Sequence, residues 1–322
     1  MRKQIDKLHR KVTFQSFLSG RPANDYIFQD ASYEEQIKKA AELLREADYI
    51  LIGAGAGLST AAGLTMGGER WSQNFQDFEE KYGGPYMKDM YSAGFYPFPS
   101  QEAKWGYWSK SSMLNRILPG ALPLYQSIRQ LVQDKSYFVL TTNVDHQFYL
   151  AGFDTEKIFA TQGDYGLIQC QKGCHKKTYD AIDLFRQMDQ ARVDCEVPSY
   201  MIPKCPVCKG PMEMNLRSDQ YFVEDEKWHQ AEERFSDFLT LCADRKTVLL
   251  ELGCGFNTPT IIRFPFEKLM REHGNLTMIR MNLEEAVVPE SFGNRAIGMN
   301  ADLDRSISDL RREMEGYNGR SV

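Results

Sequence analysis

Apolar positions along the chain follow two rhythms. After "SYEE", where Ser32 stands as N-cap and Glu35 closes a capping box, Ile37, Ala40, Ala41, Leu44 and Ala47 recur at helical spacing. That spacing predicts a helix over 32–48 with one buried face. Short runs rich in β-branched or aromatic residues then recur as "YILIG" (49–53), "YFVLTTN" (137–143), "KIFATQG" (157–163), "KTVLLELGCG" (246–255), "LTMIRMN" (276–282) and "RAIGMNA" (295–301). Amphipathic segments 121–134 and 226–245 lie between several of them. Strands alternating with helices pair in parallel, so the fold class expected is α/β, a doubly wound parallel Rossmann-like sheet with a smaller domain made of a helical insert and a zinc module.

Two stretches break the rhythm. Residues 65–113 crowd Trp71, Phe75, Phe78, Tyr82, Tyr107 and Trp108 among glycines and prolines. They read as a helical insert with its own small core, placed to serve also as a lid. Residues 167–215 carry paired cysteines and "PKCPVCKGPM", which reads as a separate small module. The expected organisation is an N-terminal extension (1–31), a Rossmann-like domain (32–64, 114–166 and 216–322), the insert (65–113) and a zinc-binding module (167–215).

Composition narrows the class. At 42% hydrophobic and 26% charged residues, with a net charge of -5, the chain has no cationic excess for a nucleic-acid backbone. No apolar run is long enough to span a bilayer. The basic start, "MRKQIDKLHRKVTFQSFLSGR", lacks the apolar core of a secretory signal and predicts a solvated helix or tail. Seven cysteines without such a signal favour metal over disulfides and a reducing, cytoplasmic compartment.

In "GAGAGLSTAAG" the glycines suit close approach of the backbone to a pyrophosphate at a helix N-terminus. The spacing Gly53, Gly55, Gly57 is no clean dehydrogenase fingerprint, and no strand precedes Glu69 to supply the acidic ribose ligand. Three more strand ends are glycine-rich or polar: "TTNVD" with Asn143 and Asp145, "TQGDYG" with Gln162, and "ELGCGFNTP" with Gly253 and Cys254. Ligands of open α/β sheets bind at that edge. Asp164, beside Gln162, reads as a turn residue. Cys170, Cys174, Cys205 and Cys208 form two knuckles able to close a tetrahedral structural zinc site, with His175 and Cys195 as possible substitutes.

Over residues 32–310 the chain resembles the sirtuin family. Gly55-Ala56-Gly57-Leu58-Ser59 matches its GAGxS stretch, Thr141 to Asp145 matches TQNID, the cysteine pairs stand where its zinc module is inserted, and "MNLEE" at Asn282 resembles its adenosine-ribose segment. The resemblance implies NAD as a substrate to be split, together with a structural Zn2+. It implies that Asp145 holds the nicotinamide carboxamide, that Asn143 orients the ribose or a water, and that Gln162 bonds the ribose hydroxyls. Gly55, Ala56, Gly57 and Ser59 would line the phosphates, with Gly253, Cys254, Asn282 and Glu284 towards the adenosine.

Two departures redirect the activity. The family's GIPDFR is replaced by Gly63-Leu64-Thr65-Met66-Gly67-Gly68, and its catalytic His-Gly by Gln162-Gly163. Glutamine can orient a hydroxyl but cannot take its proton, and loss of a positioned base typically costs roughly 10²–10⁴ in rate. Both departures resemble the class M, macrodomain-linked sirtuins. That resemblance implies a protein ADP-ribosyltransferase acting on a lipoylated glycine-cleavage H-like carrier and coupled to a macrodomain hydrolase. A deacylase, a non-catalytic NAD or ADP-ribose sensor and a dehydrogenase are the alternatives.

Overall fold

A computed structural model describes residues 12–242 and 244–318. The described residues open with a short helix α1 (Phe14–Phe17) and strand β1 (Tyr26–Ile27), followed by α2 (Tyr33–Glu46), β2 (Tyr49–Ala54) and α3 (Ala56–Ala61). Helices α4 (Glu69–Tyr82), α5 (Met90–Ala93) and α6 (Gln101–Ser112) make the insert, which ends in a π-helical turn, Met113–Ile117. Then come α7 (Pro123–Val132), β3 (Ser136–Thr141), α8 (Gln147–Leu150), β4 (Ile158–Ala160), β5 (Gly163–Cys170), β6 (Thr178–Asp180), α9 (Ile182–Ala191) and β7 (Met212–Leu216). Helix α10 (Glu226–Cys242), β8 (Thr247–Leu252), α11 (Arg263–Glu272), β9 (Leu276–Asn282), β10 (Val288–Pro289), β11 (Ala296–Asn300) and α12 (Leu303–Asn318) complete it.

The main sheet has six parallel strands in the order β11-β9-β8-β2-β3-β4. The chain starts in the middle, winds outward through β3 and β4, and returns to β8 on the other side of β2. The α/β class read from the alternation is the class found. Successive side chains point to opposite faces, so Ile50 and Ile52 enter one core layer with α2, α7 and α12, while Leu51 enters the other with α10 and α11. The expected capping box forms: the Ser32 hydroxyl accepts the Glu35 N–H, and the Glu35 carboxylate accepts the Ser32 N–H.

The N-terminal segment departs from expectation. Residues 1–11 of the predicted solvated tail lie outside the described residues, but the part that is described is no tail. Phe14 and Phe17 are buried against Phe159, Phe235 and Phe266. Each such ring contributes roughly 1.5–3 kcal/mol. Two phenylalanines three residues apart carry too little periodicity to announce this. Further on, Tyr26 donates to Glu267 at 2.8 Å, and Glu267 and Glu251 both hold the fully buried Arg280. Burial and the Glu267 charge push the Tyr26 phenol up to about 12. Removing one partner of such a buried ion cluster is strongly destabilising, because a charge is left uncompensated.

The two irregular stretches pack on one another. Sheet β6-β5-β7 is antiparallel, and its core of Phe185, Met188, Met212 and Met214 receives Trp105 from the insert. Conversely, Cys195 is buried in the insert's aromatic cluster with Trp71, Phe75, Phe78 and Tyr107. Helix α6 therefore faces apolar neighbours on both sides, with Trp105 on one and Tyr107 on the other. The insert and the 167–215 stretch make one smaller domain, as expected, because neither closes its core alone.

Candidate functional site

Strands β2 and β8 are adjacent and the chain goes on from them to opposite sides, towards β3 and β9, which makes the crevice at their C-terminal ends the topological switch point of the sheet. Gly55 N–H donates to Leu252 O at 3.0 Å and Gly57 N–H to Gly253 O at 2.9 Å. Gly253 has φ 65°, and a Cβ there would lie 2.1 Å from Leu58 N. The glycines are thus required first by the contact between these two loops. Ala56, first residue of α3, is exposed at the mouth, whereas Cys254 is buried with its Sγ 3.6 Å from Gly53 O. Asn282 clamps the neighbouring turn: Nδ2 donates to Cys254 O at 3.1 Å, and Oδ1 accepts the N–H groups of Glu284 and Glu285 at 3.0 Å each. The Glu284 side chain is exposed.

Beneath the first glycine loop lies a buried polar network. The Ser59 hydroxyl donates to Asp145 Oδ2 and lies 3.1 Å from the Tyr125 hydroxyl. Asp145 Oδ1 accepts the Gln147 N–H at 3.0 Å. Asn143 Nδ2 donates to Gly55 O at 3.0 Å and to Tyr125 Oη at 3.3 Å. Burial raises the Asp145 carboxyl above its ordinary value, against the lowering by the bonds from Ser59 and Gln147, and burial with the Asp145 charge raises Tyr125 well above its own. Ser59, expected along the phosphates, has its hydroxyl engaged in this network.

Gln162 follows β4 as Asn143 follows the neighbouring β3. Among the described residues its amide makes one long bond, 3.4 Å from Nε2 to Thr161 Oγ1. The backbone around it is held: Arg217 N–H donates to Gln162 O at 3.0 Å, while Arg217 Nε and Trp228 Nε1 donate to Thr161 O. At Gly163, φ is 97° and a Cβ would lie 1.8 Å from Asn215 O, so only glycine fits after Gln162.

Sequence reasoning missed Tyr125, Arg116 and His146. Tyr125 reads as one more apolar position of an amphipathic helix, and nothing local pairs the other two with a residue far along the chain. Asp164 does serve a turn, its Oδ1 accepting the Gly166 N–H at 2.7 Å. It also accepts from Arg116 Nε at 3.0 Å and pairs with His146 Nδ1. Burial would raise the Asp164 carboxyl, but the bond and charge of His146 with the charge of Arg116 hold it below its ordinary value. Asn143, Asp145, His146, Tyr149, Gly163 and Asp164 line one cleft.

The sulfurs of Cys170, Cys174, Cys205 and Cys208 lie within 4.8 Å of one another, with Cys170–Cys208 at 3.7 Å and Cys174–Cys205 at 3.6 Å. Four thiolates around zinc at about 2.3 Å stand roughly 3.8 Å apart, so these residues fit a closed structural Zn2+ site. Cys195 is buried elsewhere, while His175 sits beside the cluster with Nδ1 3.1 Å from Cys174 Sγ and Nε2 2.8 Å from Tyr179 Oη. Strand β5 links the two centres, Gly163 at one end and Cys170 at the other, about 20 Å apart along an extended chain.

No family model matches the chain. It is 38% identical over 279 residues to a protein ADP-ribosyltransferase of Staphylococcus aureus, covering 85% of this chain and 88% of that one. It is 34% identical over 289 residues to a probable bifunctional ADP-ribose hydrolase/ADP-ribosyltransferase of Fusarium oxysporum f. sp. cubense, covering 83% of this chain but 46% of that longer one. Among solved structures, a Sir2–p53 peptide–NAD+ complex superposes with a TM-score of 0.53 at 18% identity, covering 88% of this chain and 98% of that chain. A sirtuin solved for the structural basis of its substrate affinity gives 0.54 at 18% identity, covering 89% and 99%. The structural likenesses show the sirtuin fold, and the Staphylococcus relative shows the family: the chain belongs with the protein ADP-ribosyltransferases.

Proposed function

We propose that this chain is an NAD-dependent protein ADP-ribosyltransferase whose acceptor is a lipoylated glycine-cleavage H-like carrier protein. The observation that carries the reading is the pairing, at adjacent strand ends, of two half-buried amides that cannot ionise, Asn143 and Gln162. Cleavage of the bond between nicotinamide and ribose leaves its electron pair on nicotinamide and builds positive charge on the sugar. Such a step needs orientation and electrostatic complementarity. Asn143, held by Gly55 O and Tyr125, orients the ribose, while the Gln162 amide meets the ribose hydroxyls. Asp145 takes the nicotinamide carboxamide. Gly55, Ala56 and Gly57 line the phosphates, with Ser59 anchoring that loop to Asp145. Gly253, Cys254, Asn282 and Glu284 border the adenosine. An acceptor atom then bonds to the anomeric carbon as nicotinamide departs. Zinc on the four cysteines supplies rigidity to the small domain.

The name of the Staphylococcus relative supports the transfer, and that of the Fusarium relative supports a functional link to an ADP-ribose hydrolase, whose macrodomain character rests on the resemblance to class M sirtuins. The lipoylated acceptor rests on the resemblance to class M sirtuins. A net charge of -5 gives no support to a nucleic-acid partner. Among the described residues no helix is long and apolar enough to cross a membrane. The test incubates the protein with NAD labelled in the adenylate and nicotinamide halves and with the carrier, lipoylated or not. Adenylate label on the lipoylated carrier, matched by free nicotinamide, is expected. NAD-dependent release of an acyl group from the carrier, or binding of NAD without nicotinamide release, overturns the reading.

A further inference from the structure

We propose that His146, Asp164 and Arg116 form a positioning relay that holds the Gln162 turn against the Asn143–Asp145 loop for ADP-ribosyl transfer. The proposal rests on the reading that Asn143 and Gln162 act on NAD. Three elements meet at the Asp164 carboxylate, whose side chain is only 14% exposed. Arg116 comes from the π-helical turn that closes the insert, His146 from the residue after Asp145, and Asp164 itself lies two residues beyond Gln162. One carboxylate therefore ties together both loops proposed to bear on the ribose and the end of the insert.

His146 adopts φ 66°, a left-handed backbone that strains a residue with a Cβ. Strain of this kind persists where the surroundings enforce it, and it clusters at functional sites. Here the imidazole is fixed from two sides, by Asp164 at Nδ1 and by the Tyr149 ring, whose centroid lies 4.2 Å away at 21°. The groups facing it are Asp164 on β5, Asp145 on its own loop, Tyr149 on α8 and, through Asp164, Arg116. Burial and the Asp164 charge push the Tyr149 phenol up to about 12, so it stays neutral. Asp164 stays ionised, since its partners outweigh its burial. The imidazole and the Arg116 guanidinium thus hold the Asp164 carboxylate from two sides, and with it the turn that carries Gln162.

The test uses the full chain with His146→Asn, which tolerates the left-handed backbone and cannot ionise, and with Asp164→Asn. Transfer rate, NAD affinity and the backbone amide resonances of Gln162 and Gly163 are compared with those of the unmodified protein. Both substitutions should shift the two amide resonances. Asp164→Asn should lower the transfer rate by about 10²-fold through misplacement of Gln162, with NAD affinity changed far less. Gln162 and Gly163 amides indifferent to both substitutions, or a loss in Asp164→Asn carried by NAD affinity with the rate at saturation unchanged, overturns the relay. If the protein releases no nicotinamide at all, the proposed activity fails, and the amide shifts still decide the relay by themselves.

Discussion

Replacing Tyr125 by Phe removes a single oxygen and tests whether the network beneath the glycine loop serves chemistry or only packing. The ring stays in place, edge-on to Phe148 with centroids 5.0 Å apart. Ser59 keeps its bond to Asp145, and Asn143 keeps Gly55 O at 3.0 Å, so no buried partner is stranded. The stability cost is then that of an ordinary hydrogen bond, about 0.5–1.5 kcal/mol, rather than the larger desolvation penalty of an orphaned group. For transfer, Asn143 loses one of two anchors on its amide. An effect of the same size corresponds to a rate loss of roughly 2- to 13-fold. The ceiling is Asn143→Ala, expected to cost about 2–4 kcal/mol if the amide acts as a preorganised group towards developing charge. Because Tyr125 acts through Asn143, the double variant should match Asn143→Ala alone, and the cycle should return a coupling equal to the whole Tyr125→Phe effect. The assay is single-turnover nicotinamide release with saturating NAD, run beside thermal melts of all four proteins. Additive losses in the double variant would refute the claim that the hydroxyl works through Asn143.

Gln162→His alone should not create efficient deacetylation, because the segment from Gly63 to Gly68 still departs from the family's GIPDFR; strong turnover on an acetylated peptide would show that the missing base was the sole obstacle. Gly253→Ala should abolish NAD binding by forcing the two loops apart, since the left-handed backbone alone costs roughly 1–2 kcal/mol before the contact with Leu58 N is relieved; unchanged NAD affinity by calorimetry would contradict this. Protein purified without chelator should hold one zinc per chain, and its removal should loosen the small domain, since site formation and folding are coupled. Metal analysis finding none, or unaltered proteolysis after chelation, would count against that site.

Much of the fold was legible because its signals are local. The capping box at Ser32 and Glu35, the β-branched runs and the glycines after β2 each act within a few residues of one another. Parallel pairing followed from the alternation of strands and helices, and with it the edge on which Asn143, Gln162 and Gly253 fall. The cysteine knuckles were equally plain, since a tetrahedral thiolate site demands tight pairs.

What tertiary structure alone decided depends on partners far apart in the chain. Phe14 becomes core only because Phe159 and Phe235 are brought beneath it. Trp105 and Cys195 exchange places between the insert and the 167–215 stretch, because each buries its apolar surface only in the other. Ser59 and Asp145 stand 86 positions apart, and Arg116 and Asp164 stand 48, so neither pairing leaves a trace in any local window. Hydrophobic periodicity reports which face of an element is buried, and short motifs report where a backbone must bend or bind. The identity of the atom that meets a given polar side chain is set by how the layers pack, and here that packing turned Tyr125 and His146 from unremarked positions into parts of the site.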